Sequence, residues 1–229
     1  MDPLYLSTSE CPCCESTFKI TRVRPSFKNP SRTDTDFCGY YKNGINPDYY
    51  VIRVCPQCGY AFSENGSKRM NDEQKNRYYQ EIGKHWSEQY FHGERTIEQA
   101  LTTYKRALMI AQLMNEDHRL IAGFLHHIAW LYRYMGHEEN EQRFLRFALE
   151  KYIVVYEHET NSNKNARLLY IIGELNKRVG NYQEAVKWFS RVVNDQSIID
   201  AGMIRASREQ WKETTELAAA EREKAKNDA

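Results

Sequence analysis

Cys55-Pro56-Gln57-Cys58-Gly59 has the form of a zinc knuckle, a tight turn that brings two thiolates to one metal ion. Gly59 supplies the positive φ that such a turn needs. Upstream, Cys11-Pro12-Cys13-Cys14-Glu15 repeats the C-P-x-C frame with Glu15 in the place of the glycine. Forty residues lie between Cys14 and Cys55, a span that a zinc ribbon accommodates as an insertion. The two pairs together predict one structural zinc site with Cys11, Cys14, Cys55 and Cys58 as ligands. A thioredoxin-like C-x-x-C opens a helix after a strand, and neither pair has an amphipathic helix behind it. Cys13 is an alternative to Cys14, although C-x-C fits the knuckle turn less well. Cys38 reads as a small buried hydrophobe or a thiol near the metal rather than a ligand.

All six cysteines fall within the first 58 of 229 residues. A start of Met1-Asp2-Pro3-Leu4-Tyr5-Leu6 has no basic region followed by an apolar one, so no secretory leader is expected. No apolar run reaches the ~18–20 residues of a membrane span. The expected setting is the cytoplasm, where thiols stay reduced and paired cysteines read as metal ligands before disulfides. A formal net charge of +1 does not call for nucleic acid or an acidic membrane as the main partner.

Between the knuckles the pattern is β-like. Strands are expected at Phe18–Val23 and at Tyr49–Val54, with a loop at Ser31–Asp36 and turns at Asn43-Gly44 and Asn46-Pro47. Residues 18–32 carry Lys19, Arg22, Arg24, Lys28 and Arg32 and no acid, with Phe18 and Phe27 as possible stacking platforms. Such a stretch keeps nucleic-acid binding open as an alternative.

From Asn71 onward the periodicity is helical. Tyr78, Ile82, Trp86 and Tyr90 mark a first helix at i, i+4 spacing, and Thr96-Ile97-Glu98-Gln99 is a capping box that opens a second. Further helices are expected to stop at Gly136 and Gly180, and a last one, from about Asp200, decays into a charged tail that frays. The pairs resemble tetratricopeptide repeats: Gly173, the turn Gly180-Asn181-Tyr182, Ala185 and Phe189 match one repeat, and Ala129, Tyr132, Gly136, Phe144 and Ala148 match the one before. Small residues belong where helices cross closely, with aromatics filling the gaps beside them. Ala107, Ala148 and Val192 are 41 and 44 residues apart rather than 34, an extended form. The fold expected is mainly α: a small zinc-ribbon-like β module over residues 1–70, then a tetratricopeptide-like α-solenoid over 71–229.

The whole chain resembles a bacterial family of unknown function whose hallmarks are paired C-P-x-C knuckles, tetratricopeptide-like helices and, between the knuckles, a motif matched here by Asp34-Thr35-Asp36-Phe37-Cys38-Gly39-Tyr40-Tyr41-Lys42 followed by Gly44, Asn46 and Pro47. The inserted Asn43 departs from that motif only in loop length. The resemblance implies a bacterial cytoplasmic protein with bound metal, and no activity.

The function expected is a zinc-binding interaction or adaptor protein that holds a protein or peptide in the groove of its repeats. No Ser-His-Asp order, H-E-x-x-H, P-loop or G-x-G-x-x-G is present, and four thiolates close a zinc site to substrate, so an enzyme is not expected. Carrying the concave stripe over by the Gly and Ala anchors assigns His85, Gln89 and His92 to the first pair. It assigns His126, Trp130, Arg133 and Tyr134 to the second, and Tyr170, Glu174, Lys177 and Arg178 to the third. That aromatic, basic set suits a peptide with acidic and hydrophobic residues.

Overall fold

A computed structural model of the chain describes residues 2–42 and 44–227, and Asn43 of the expected Asn43-Gly44 turn lies outside them. The protein is mainly helical, with small antiparallel hairpins at its N-terminal end. It forms two compact units, Met1–Glu141 and Gln142–Ala229. The division therefore falls at 141/142, whereas residue 70, the boundary expected from sequence, lies within the first unit.

Unit 1 contains three two-stranded hairpins. β1 (Leu4–Glu10) pairs with β2 (Thr17–Val23), with Ser7 opposite Ile20. β3 (Arg32–Thr33) pairs with β4 (Gly39–Tyr40), and β5 (Arg53–Val54) with β6 (Ala61–Phe62). The strand expected over Tyr49–Val54 is shorter than its β-branched and aromatic residues suggest. Pro47–Tyr50 is a 3₁₀ turn instead, because the Asn46 side chain accepts from Asp48 N and Pro47 presets the first helical position. Val23, Ile45 and Tyr50 form a buried cluster beneath it.

α1 (Asp72–Glu81) starts on a capping box in which Asn71 and Gln74 exchange hydrogen bonds. It ends five residues short of Trp86, so Trp86, Tyr90 and the expected partner residues His85, Gln89 and His92 do not lie on that helix. Gly83 fills the space beside the break, where an added Cβ would sit 2.9 Å from both the Tyr78 and Tyr79 rings. Arg95 fastens the segment that follows: its buried guanidinium donates to Tyr49 O at 2.9 Å, Ile52 O at 2.8 Å and Phe91 O at 3.0 Å. α2 (Ile97–Leu113) then begins on the Thr96–Gln99 capping box read from the sequence.

α2, α3 (His118–Tyr134) and α5 (Ala166–Arg178) end alike. A residue in the left-handed region follows each helix: Asn115 at φ 53°, Gly136 at 71° and Gly180 at 87°. The next backbone N–H then reaches back to close the last turn: Glu116 to Ala111 O, His137 to Tyr132 O and Asn181 to Asn176 O. α4 (Glu138–His158) follows the second of these turns and α6 (Tyr182–Asn194) the third.

In unit 2, α5, α6 and α7 (Ala201–Asn227) pack on one another around Ala166, Leu169, Val192 and Ile198. α5 and α6 cross closely at Gly173, where an added Cβ would lie 2.8 Å from the fully buried Phe189 ring. Gly173→Val is expected to destabilise the protein by about 1–3 kcal/mol in urea unfolding. Gly123→Ala on α3, where an added Cβ meets nothing within 4 Å, is expected to stabilise it by up to about 1 kcal/mol through helix propensity.

Candidate metal centre

The two C-P-x-C pairs fold into the same turn. In the first, Cys11 N donates to Ser16 O at 2.9 Å and Glu15 N to Cys11 O at 3.0 Å; in the second, Cys55 N donates to Tyr60 O at 3.0 Å and Gly59 N to Cys55 O at 2.9 Å. Each turn closes a hairpin, β1–β2 or β5–β6. The residue after the second cysteine is left-handed in both, Glu15 at φ 62° and Gly59 at 74°. Glu15 occupies this strained region at the surface, paired with Lys75 at 2.7 Å. Gly59 has no such latitude, because an added Cβ would run into the Trp86 ring and the Arg106 guanidinium.

The second knuckle is enclosed by the helical part of unit 1. Its carbonyls accept from three side chains: Pro56 O from Trp86 Nε1 at 2.7 Å, Cys58 O from Tyr78 Oη at 2.7 Å, and Gly59 O from Arg106 Nε. Arg106 also stacks over the Trp86 ring at 4.3 Å and donates to Tyr78 Oη at 3.2 Å. Trp86 is thus drawn to the knuckle instead of extending α1.

The turns bring together the four sulfurs read from the sequence. Cys11 and Cys58 lie 3.6 Å apart, as do Cys14 and Cys55, and all four ligand atoms fall within 4.8 Å of one another. Four sulfurs at about 2.3 Å from a tetrahedral zinc ion would stand about 3.8 Å apart, so the donor set fits the metal. Three of the four cysteines are buried and Cys14 is half-buried. Hydrogen bonding of the Cys58 thiol to the neighbouring sulfurs of Cys11, Cys13 and Cys55 holds its proton and pushes Cys58 far above the ordinary thiol range. A central cation removes that conflict by stabilising every thiolate at once. Ser16 Oγ lies 3.1 Å from Cys14 Sγ and 3.3 Å from Cys55 Sγ, placed to donate to either; its neighbourhood to Cys14 was the only trace of this in the sequence. Cys13 is buried outside the four-sulfur set. Cys38 is also outside it: its Sγ donates to Tyr134 Oη at 3.2 Å, and burial pushes its thiol up to about 12.

The expected partner stripe is used differently. His126, Trp130, Arg133 and Tyr134 on α3 do not line an open groove. They hold the chain's own β3–β4 hairpin, whose tip turns at Asp34–Cys38 with Phe37 at φ 70°. Asp36 is fully buried there. Its Oδ2 accepts from Arg133 Nη2 at 2.6 Å and Trp130 Nε1 at 3.1 Å, with His126 Nε2 at 3.4 Å. Arg133 also donates to Asp34 at 3.0 Å and Glu141 at 2.7 Å, and Tyr134 to Gly39 O at 2.7 Å. Burial holds His126 below the ordinary histidine range despite the adjacent Asp36, so Arg133 carries the compensating charge.

In unit 2, Tyr170 and Glu174 are buried, Arg178 donates to Glu174 at 2.9 Å, and Lys177 reaches Gln210 at 2.6 Å and Glu213 at 2.8 Å on α7. The third stripe is therefore engaged within the unit: Lys177 meets α7, Arg178 pairs with Glu174 on α5, and Tyr170 packs on Phe189 of α6. Of the eleven residues assigned to the groove, His85, Gln89 and His92 are the exposed ones.

Arg133→Ala strands the Asp36 carboxylate in a buried site and is expected to cost about 3–5 kcal/mol in urea unfolding. Arg22→Ala, which removes a half-exposed pair with Glu64 at 2.8 Å, is expected to cost no more than about 1 kcal/mol.

No curated protein and no solved structure matches the chain. A family model described as "Uncharacterized protein conserved in bacteria (DUF2225)" matches residues 4–214. That match takes in both knuckles, the Asp34–Lys42 motif and the helices through the first half of α7, and the chain belongs to this bacterial family.

Proposed function

We propose that the chain is a zinc-stapled interaction protein, a cytoplasmic adaptor without catalytic activity. The observation that carries this reading is the closed four-sulfur cluster: all four positions of a tetrahedral ion are taken by Cys11, Cys14, Cys55 and Cys58, which suits a structural zinc ion and leaves no position for substrate or water. All six cysteines are free thiols, in keeping with a reducing compartment. No helix among the described residues is long and apolar enough to cross a membrane.

The partner is a protein or peptide. The matching turns after α3 and α5 and the close α5–α6 crossing support a tetratricopeptide-like arrangement. With the second and third stripes filled by the chain itself, the partner surface contracts to the segment bearing His85, Gln89 and His92, where Tyr90 stands 63% exposed. Nucleic-acid binding has weaker support. Phe18 is buried against Phe62 and Phe27 packs on the Val23 cluster, so neither offers a ring for stacking. Arg22 is paired with Glu64, and Arg32 with Asp34 at 3.4 Å.

Protein purified without chelator is expected to carry about one zinc per chain by elemental analysis, and Cys55→Ser to lose it. Stripping the metal is expected to lower the thermal midpoint sharply; a metal-free protein with an unchanged midpoint overturns the zinc reading. Gln89→Ala with His92→Ala is expected to abolish partner capture while leaving circular dichroism unchanged. Undiminished capture overturns the partner surface.

A further inference from the structure

Unit 1 contains two adjoining cavities that the metal centre does not use. One, of about 350 Å³, is lined on its charged side by Arg22, Lys28, Arg53 and Glu64. The other, of about 280 Å³, is lined by Tyr104, Leu120, Gly123, Phe124 and His127. Val51, Ser63 and Asn65 belong to the walls of both. We infer that together they form a two-part cleft for a small anion that carries a flat ring: the arginines take the anionic group, and the partly exposed His127 ring with Leu120 and Val51 takes the ring.

The charged end is built around a shared partner. Arg22 and Arg53 both donate to the same oxygen, Glu64 Oε1. Glu64 is 55% exposed and lies in the turn that Gly66 N closes onto Ser63 O, whereas the Arg53 side chain is only 17% exposed. Two guanidiniums thus converge on one half-exposed carboxylate, and Lys28 lines the same cavity. Guanidinium forks match phosphate and carboxylate oxygens. Asp48, the other acid of this cavity, faces His127 Nε2 at 3.8 Å.

The ring end is rigid before anything binds. His127 Nδ1 donates to Gly123 O at 2.8 Å, and its ring stacks on Tyr104 at 5.4 Å and 15°. Tyr104 Oη is committed to Asp48 O at 3.1 Å. Tyr104 and Phe124 are buried behind the wall, whose apolar face is Leu120 and the His127 ring; Ser63 and Asn65 stand at the junction, and Asp117 and Arg119 also line this end. Gly123 leaves volume there, since an added Cβ meets nothing within 4 Å. Val51, 38% exposed, is the apolar residue between the two ends. A mostly apolar cavity with a few convergent polar groups is the usual form of a small-ligand site.

The test is isothermal titration calorimetry of the full-length, metal-loaded chain with adenosine 5′-monophosphate and with indole-3-acetate, a phosphate and a carboxylate on flat rings. Adenosine and inorganic phosphate serve as the separate halves. At least one ring-bearing anion is expected to bind one-to-one and about tenfold or more tightly than either half. The better of the two probes identifies the anionic group. Gly123→Leu, which fills the ring end, and Arg22→Gln, which removes one fork, are each expected to weaken that binding by about tenfold or more. Circular dichroism and metal content should stay as in the parent chain for both variants. Absence of binding by both probes overturns the inference. So does binding that survives either variant at nearly parental strength, since a two-part cleft requires both ends.

Discussion

The carbonyl oxygens of Pro56, Cys58 and Gly59 each take a hydrogen bond from a side chain of the helical part of unit 1, Trp86, Tyr78 and Arg106 in turn. A knuckle turn bends its backbone around sulfur, and its carbonyls cannot all find strand partners. Left unmade in a buried place, each bond would cost about 1–3 kcal/mol. Much of the surrounding structure follows from meeting that demand. Trp86 can reach Pro56 only if α1 has ended, and it ends at Glu81. The chain must then cross the β module before helix can resume, and Arg95, buried against the carbonyls of Tyr49 and Ile52, fixes that crossing. α2 starts immediately afterward and delivers Arg106 back to Gly59. Metal-site geometry and helix boundaries are thus one problem in this unit.

A second constraint is the fully buried carboxylate of Asp36. Taking a charge out of water is costly unless a partner and further hydrogen bonds replace the solvent. Arg133, Trp130 and His126 supply them from a single face of α3. The complementarity expected between a basic, aromatic stripe and an acidic peptide is therefore realised within the chain, by a hairpin tip tethered at high effective concentration. Phe37 at φ 70° is the conformational cost of presenting Asp36 in this way.

Local rules carried the sequence reading a long way. The four clustered cysteines were visible because knuckle spacing and the left-handed residue after it are properties of a few adjacent residues. The Thr96–Gln99 box and the stops at Gly136 and Gly180 were visible for the same reason, as was the close crossing at Gly173. Residues whose roles depend on distant partners were misread. Trp86 has perfect helical spacing with Tyr78 and Ile82, yet a carbonyl thirty residues upstream claims its indole. His126, Trp130, Arg133 and Tyr134 occupy a credible ligand stripe, and nothing local to α3 announces that Asp36 fills it. Tyr49 and Tyr50 favour strands by composition, but the Asn46 cap on Asp48 N decides the backbone. Asn115 closes α2 as the glycines close α3 and α5, a role its residue type permits but does not specify.

The turns that gather the four sulfurs and the hairpin that docks on α3 differ in when their partners emerge during synthesis. Cys11 and Cys58 are 47 residues apart, and both precede α1. Asp36 must await Arg133, 97 residues later. At about 5–20 residues per second, that interval lasts roughly 5–20 s on the ribosome. During it, the hairpin tip that carries Asp36 is present without the α3 residues that later hold it. The two knuckles and the Arg95 and Arg106 contacts on them and on the β module can all close within that window. Order of translation thus lets the four sulfurs gather before the α3 face on which the hairpin docks has been made.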